Sequence, residues 1–459
     1  MKIKLNQSNK LIQAGVKIIK AIESSGFKAF FVGGSVRDLI LKRELDNVDI
    51  ATEAKPSEVE AVLNKEGLRT KGVGKKFGTI LTISENQPIE ITTFRSEGRY
   101  SDKRHPDEVT FVKDYQIDAK RRDFTINAMY LNVDSEEVLD IVNGLKDLDQ
   151  QLIRFVGKAT DRIDEDPLRM LRAVRFSTQL NFKLEKNTFA AIKTRAKLIQ
   201  GISGERIKNE LDKILLSKNK LEGIRLLDSI GLLQFLIPAF PKLKTLDHNS
   251  KTYHLEGNIF EHTLLVINEL SDLNLIYAGL FHDLGKVNTK KRVFKKGQWV
   301  NSFYGHQAES ARLFNEFAKR LRFPRKDQKK IEWLILHHDD RINFPNMKLI
   351  NKIKYILNPL FEDVAKVWMA DSRGNLRLDD KGNVLPGTSP TTQNALALKE
   401  ALSKKGGVIK GLANGNKILK YTKLKPGPQI NKLILKIIEK IYLGEIKNEN
   451  DLKKYLQKN

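Results

Sequence analysis

The sequence predicts an α+β protein: a small mixed-sheet head followed by an extended all-α body. Two observations carry this reading. Short β-branched or alternating runs, separated by turn residues, fill the first third of the chain, and from about Asp161 the apolar spacing becomes helical. The opening MKIKLNQSNKLIQAGVKIIKAIESSGF reads as an amphipathic helix; it has no continuous apolar stretch and no small-residue cleavage site, so it is not read as a secretory signal. Residues 28–36 (KAFFVGGSV) read as a buried strand that breaks at paired glycines and enters a helix. Residues 79–83, 89–94 and 108–112 read as further strands. DPLRMLRAVRFSTQL, ERIKNELDKILLS and KLEGIRLLDSIGLLQFL are helical, another helical block begins near Phe260, and residues 373–391 and 406–416 mark loops or a joint.

A chain of 459 residues exceeds one hydrophobic core, which sets a prior of two to four domains. The absence of cysteine excludes disulfides, thiolate metal sites and cysteine nucleophiles, and no apolar run approaches a membrane span, so a cytoplasmic protein is expected. Lys plus Arg number 81 against 56 Asp plus Glu, a formal net charge of +25. That surplus suits a polyanionic partner, although a Lys-rich surface from compositional bias would give the same balance.

Two constellations carry chemistry. In the head, Gly33-Gly34-Ser35-Val36-Arg37-Asp38 follows a strand and opens a helix, where backbone N–H groups can approach a triphosphate and Arg37 can meet a phosphate oxygen. Asn47 and Asp49 lie two residues apart, on one face of a strand, as oxygen ligands for a hard cation such as Mg²⁺ must.

GGSVRD, NVDIAT, RRDFTINAM (Arg121–Met129) and EDPLRMLRAVRF (Glu165–Phe176), with VGKKFGTI, IEITTFRSEGRYSDKRHPDEVTF and ERIKNELDKIL between and after them, resemble in order and spacing the motifs of the class II tRNA nucleotidyltransferase and bacterial poly(A) polymerase family. The resemblance implies that Gly34 and Arg37 hold the incoming triphosphate and that Arg122 contacts the nucleotide. It implies too that Asp166 and Arg169 pair with the edge of the incoming base, an i, i+3 helical spacing placing both on one face, which Arg172 and Arg175 continue. Taken in isolation, Arg169, Arg172 and Arg175 would read as a solvated stripe with Leu168 and Leu171 turned to the core; the motif order outweighs that.

The chain departs from the family at one place. Where the family has Asp-x-Asp, the first position is Asn47, which offers an amide oxygen without charge. Asp46 next door or Glu90 on a neighbouring strand could compensate, Asp46 facing the opposite way on a regular strand. An active site with altered metal dependence is expected; a decayed one is the alternative.

The second constellation lies in the helical body. His262, then His282-Asp283 in LFHDLGK, then Asp371 resemble the HD superfamily of metal-dependent phosphohydrolases, with His306 and His337 where some members hold a second metal. His338 is expected to support or be solvated, either of the adjacent pair being able to point inward, and His105, His248 and His254 are read as structural or RNA-facing. The resemblance implies a phosphatase or phosphodiesterase side activity, or a scaffold.

The expected organisation is a nucleotidyltransferase head at residues 1–155, a base- and RNA-binding neck at 156–245, an HD metal domain at 246–375 and a basic helical tail at 376–459, whose LKPGPQI segment also resembles family members. The function implied is template-independent addition of CCA to the 3′ end of tRNA from CTP and ATP, with Mg²⁺ at the head and a divalent metal in the HD domain. The segment between Thr93 and Phe111 matches the loop linked to the final A. A poly(A) polymerase or partial CCA-adding enzyme, and an HD phosphohydrolase with a decayed head, are the alternatives.

Overall fold

The structure is a computed structural model describing the chain except residues 7, 73–74, 105, 247–254, 296, 380 and 459. His105, His248 and His254 therefore lie outside the described residues. The chain divides into two compact units, Met1–Leu236 and Ile237–Asn459. Among the described residues no helix is long and apolar enough to cross a membrane.

The first unit is built on a mixed sheet of seven strands. These are β1 (Ala29–Val32), β2 (Val48–Thr52), β3 (Thr70–Lys71), β4 (Thr79–Ser84) and β5 (Gln87–Thr93), then, beyond the separate hairpin of β6 (Arg95–Glu97) and β7 (Val109–Phe111), β8 (Tyr130–Leu131) and β9 (Val138–Leu139). Their order is β3-β4-β5-β2-β1-β8-β9, with β2 and β5 parallel and the other neighbours antiparallel. The helix Lys10–Ser24 starts where the Asn9 side chain accepts from the N–H groups of Leu11 and Ile12, and it buries Ile12, Ile18, Ile19 and Ile22. These residues recur at helical spacing, so one stripe meets the sheet while the lysines stay outside.

Gly33 ends β1 at φ +72°, ψ −134°, a conformation that a side chain resists, and the helix Gly34–Ile40 follows directly. A second break lies in EDPLR. The helix Ala159–Glu165 stops at Asp166, which is extended at φ −144°, ψ 98°, and a new helix begins at Arg169. Pro167 is the cause, since a residue before proline is driven out of the α region and proline offers no N–H. Asp166 and Arg169 are thus a turn apart and do not share a helix face, contrary to the sequence reading; the Asp166 carbonyl accepts the Arg169 N–H at 3.0 Å.

The second unit is helical with two short hairpins that the sequence reading left out, Lys291–Lys295 with Gln298–Ser302 and Leu376–Leu378 with Val384–Pro386. The helices Ile259–Asn268 and Phe361–Gly374 pack together, and Leu273–Phe281 packs against the first of them and against Arg325–Leu336. Residues 406–416, read as a loop or joint, contain the helix Gly406–Leu412. Leu412 joins Ile418, Ile430, Ile437, Ile441 and Leu452 in a separate tail core, and that burial holds a Gly-rich stretch helical.

Candidate nucleotide cleft and metal cluster

In the first unit a cleft of about 590 Å³ is lined by Glu90, Arg122, Asp123, Asp166, Arg169 and Arg172 among others, whereas Gly34, Arg37, Asn47, Asp49 and Arg175 do not line it. Asp166 reaches it from the proline turn and is held by Arg206 from the helix Gly204–Leu215, at 2.7 Å. Arg169 binds Glu165 and the Arg162 carbonyl, the latter at 3.0 Å. Arg172 donates to Asp123 at 2.8 Å, and Arg175 to Glu210 at 2.6 Å. Burial alone would raise the Asp123 pKa, but Arg172 and Arg169 outweigh it and bring it down to about 2.

Arg37, Arg172 and Arg175 surround the Phe176 ring, their guanidinium carbons 5.1, 5.5 and 4.0 Å from its centroid. Arg37 is buried and committed: it makes a forked contact to Asp38 at 3.0 and 2.7 Å and donates to Asn127 at 2.7 Å. Arg122 is anchored on Asp118 at 2.9 Å and on the Tyr130 hydroxyl at 3.1 Å. A Cβ placed on Gly33 would come 3.5 Å from the Asp49 carboxylate and 3.7 Å from Arg122 Nη1, so the glycine turn, the strand carboxylate and the second motif meet there.

Asn47 precedes β2 by one residue, and its amide donates to Asp49 Oδ1 at 3.3 Å. Ser35 Oγ accepts the Asp49 backbone N–H at 2.9 Å and ties the strand to the helix after Gly33. Glu90 is the register partner of Asp49 on the parallel strand β5 and faces the cleft, whereas Asp46 is exposed ahead of β2. Burial, then the Glu90 charge, push Asp49 up to about 6 against the pull of Arg122 and Arg37. Two acidic groups with this surplus of negative charge fit a divalent cation. Sequence reasoning missed Arg206 and Asp118, and it missed the clasp of Arg95 and Arg121 on Glu97 at 2.8 and 2.9 Å.

The second unit gathers a buried cluster of His262, His282, Asp283, His306, His338 and Asp371. His262 Nε2 lies 3.0 Å from Asp371 Oδ1. Burial opposes its charge, but hydrogen bonds to Asp371 and Glu256 prevail and push His262 up to about 9. Three imidazoles are anchored alike: Nδ1 of His282, His306 and His338 lies 2.6, 3.0 and 2.7 Å from the carbonyl three residues earlier. A carbonyl accepts only, so each Nδ1 carries a proton and each Nε2 is left to face the cluster. His282 Nε2 has no hydrogen-bond partner among the described residues, and the Nε2 atoms of His306 and His338 face each other at 3.2 Å. Imidazole nitrogens and carboxylates gathered at one buried place are the donor set that transition-metal ions take.

Each carboxylate is shared with a cation from the chain. Asp283 meets Lys286 at 2.6 Å through Oδ2 and His306 at 3.4 Å through Oδ1; Asp371 meets Arg341 at 2.6 Å. Although burial works against it, these neighbours and the histidines hold both carboxyls well below the usual range. His337 stands outside the cluster, its ring 33% exposed, Nδ1 on Asp340 at 2.5 Å and its face 4.3 Å from Trp333. The structure thus corrects the choice of inward histidine from His337 to His338, because the helix Arg325–Leu336 ends at His337 and the next residue turns inward. Gly285 lets the helix Lys286–Thr289 touch His306–Arg320, since a Cβ there would sit 2.3 Å from the His306 carbonyl oxygen.

Residues 29–154 match the family described as "Poly A polymerase head domain", 181–243 that described as "Probable RNA and SrmB- binding site of polymerase A", and 254–360 the "HD domain". The chain is 42% identical over 233 residues to the CCA-adding enzyme of Limosilactobacillus reuteri (strain DSM 20016), which takes in 51% of this chain but 57% of that one. It is 32% identical over 440 residues to the CCA-adding enzyme of Lactococcus lactis subsp. cremoris (strain SK11), covering 94% of this chain and 92% of that one. Its fold is similar to the crystal structure of the Bacillus stearothermophilus CCA-adding enzyme in complex with CTP, with a TM-score of 0.66 and 25% identity over 98% of each chain. It is also similar to the Thermotoga maritima CCA-adding enzyme complexed with tRNA_CCA, with a TM-score of 0.64 and 18% identity over 99% of this chain and 96% of that one. The shared head, the shared body and the near full-length match establish that the chain belongs to the CCA-adding enzyme family.

Proposed function

We propose that this protein adds CCA to the 3′ end of tRNA without a nucleic-acid template, taking CTP and ATP and releasing pyrophosphate in the cytoplasm. The observation that carries this is the convergence of Arg122, Asp166, Arg169 and Glu90 on one cleft, with Asp49 in register beside Glu90. In this reading residues 1–155 are the head, 156–245 the neck that chooses the base, 246–375 the HD domain and 376–459 the basic tail that tRNA lies along.

Asp166 and Arg169 present acceptor and donor groups to the base edge, Arg206 and Glu165 fixing their directions. Gly34 contributes backbone at the helix start, while Arg37, Arg172 and Arg175 lend positive charge to the triphosphate from fixed positions. Asp49 and Glu90, with the Asn47 amide oxygen, would hold the divalent cation. When bound, Mg²⁺ lowers the pKa of the attacking hydroxyl and neutralises developing charge. The RNA 3′-hydroxyl attacks the α-phosphate in line, and Arg122 steadies the nucleotide from its anchor on Asp118.

Incubating a tRNA transcript lacking CCA with CTP and ATP and sequencing the added nucleotides tests this. Wild type completes CCA. No incorporation at any Mg²⁺ or Mn²⁺ concentration sinks the proposal and favours the decayed head; A-only products favour the poly(A) alternative. The His–Asp cluster supports a second reading beside the first, a metal-dependent phosphohydrolase activity, which a phosphodiester assay on the same preparation reads separately.

A further inference from the structure

We propose that the hairpin Lys291–Ser302 is a docking element for single-stranded RNA, separate from the cleft of the first unit. Its two strands pair Phe294 with Trp299 and Arg292 with Asn301, which puts these four side chains on one face. Phe294 and Trp299 are each 61% exposed, their rings 5.6 Å apart, and Tyr304 just beyond the hairpin is 96% exposed. Large rings at that exposure are unusual on a surface with no partner. Arg292 lies 5.7 Å from the Trp299 centroid, and Lys290, Lys291 and Arg292 are all exposed.

Aromatic faces interleaved with cations are what unpaired bases and their phosphates need: stacking for the base, ion pairing for the backbone. An apolar protein face would use the rings without the basic flank, whereas closely interleaved rings and cations answer both the base faces and the phosphates of an unpaired strand, so charge complementarity selects RNA. Binding of anionic lipid vesicles that the double variant abolishes without change in RNA affinity overturns this choice. Topology places the element by the buried cluster. The chain enters the hairpin eight residues after Asp283 and leaves it four residues before His306, and Lys286, bound to Asp283, lies 5.5 Å over the Phe303 ring. Both ends of the hairpin therefore lead directly into segments that carry cluster residues.

Trp299 is the reporter, as Trp333 is half-buried and Trp368 fully buried. The full-length protein is titrated with an unstructured RNA oligonucleotide of about 12 nucleotides, within the span such sites cover, while tryptophan emission is followed. Quenching of wild type is expected, with Trp299→Phe keeping affinity measured by anisotropy and the double variant Phe294→Ala, Trp299→Ala losing about tenfold or more. Equal affinity of the double variant and wild type overturns the proposal. So does a concentration-dependent dimer that the double variant abolishes without change in RNA affinity, which would make the face a contact between copies. Nucleotide incorporation into tRNA, measured on the same variants, reports the first unit and stays unchanged, so failure of that reaction is seen separately.

Discussion

Asp49 and Glu90 are register partners on the parallel strands β2 and β5, and the Glu90 charge is the second cause, after burial, of the upward shift of Asp49 to about 6. This juxtaposition supplies a second carboxylate where Asn47 withholds one. Glu90→Gln is expected to raise the Mg²⁺ concentration needed for half-maximal incorporation by roughly 10–100-fold. Asn47→Asp should lower it. An unchanged Mg²⁺ requirement in Glu90→Gln would remove Glu90 from the metal site.

The same pair sets a pH dependence. A carboxyl must be ionised to hold a cation, so at limiting Mg²⁺ incorporation should rise with pH through about 6. In Glu90→Gln the acid limb moves to lower pH. Without metal the sign for stability is opposite: the folded state holds the Asp49 proton more tightly than an unfolded carboxyl of ordinary pKa 3.8. Its contribution is largest below that value and is lost as pH rises to about 6. Thermal melts of the metal-free protein across that window check the sign.

Arg206 donates to Asp166 at 2.7 Å, and under the proposed function it acts on base choice through that carboxylate. Arg206→Ala should reduce discrimination between CTP or ATP and the other nucleotides by about 10–100-fold, with a smaller change in triphosphate affinity. Arg169→Ala should do the same. Correct CCA ends from either variant would contradict the assignment.

The histidine assignment separates adjacent residues. His338→Ala is expected to lose bound transition metal, measured by elemental analysis after dialysis, while His337→Ala retains it. Gly285→Ala should also lose metal, because its Cβ would collide with the His306 carbonyl and with the N–H of Ser310, 2.5 Å away. Metal content equal in His338→Ala and wild type would return His338 to a supporting role.

Phe176 is the ring on which three arginines rest, and it is buried. Phe176→Ala should cost about 3–5 kcal/mol, since it opens a cavity and removes the surface that spaces three like charges. A drop in melting temperature with loss of incorporation is expected; an unchanged melt would show that the ion pairs alone hold the arginines.

Much of this was legible in the chain. β1, the paired glycines, Asp49 and the His–Asp dipeptide rest on local chemistry, and they stand where the residues indicated. What was hidden depends on pairing or on a single turn. Glu90 becomes important only through strand register, and Arg206 only when its helix meets the proline turn. His337 and His338 cannot be ranked from spacing, because the helix ends between them. The hairpin was readable in principle: KRVFKKGQWVNS sets a β-branched and aromatic pair, Val293-Phe294 and Trp299-Val300, on each side of a glycine at φ +79°. The helical neighbourhood obscured it.

The break at Pro167 sets the two groups proposed to meet the base on different kinds of backbone. Arg169 grows from the first turn of a helix, its guanidinium held by Glu165 and the Arg162 carbonyl. Asp166 sits in a connecting turn, restrained by Arg206 and by its own acceptance of the Leu168 N–H at 3.1 Å. One half of the proposed reading edge is therefore built on a helix and the other on a connecting turn. For a site proposed to take first a pyrimidine and then a purine, the turn is the half whose backbone can change without unwinding a helix, with the rest of the cleft left standing.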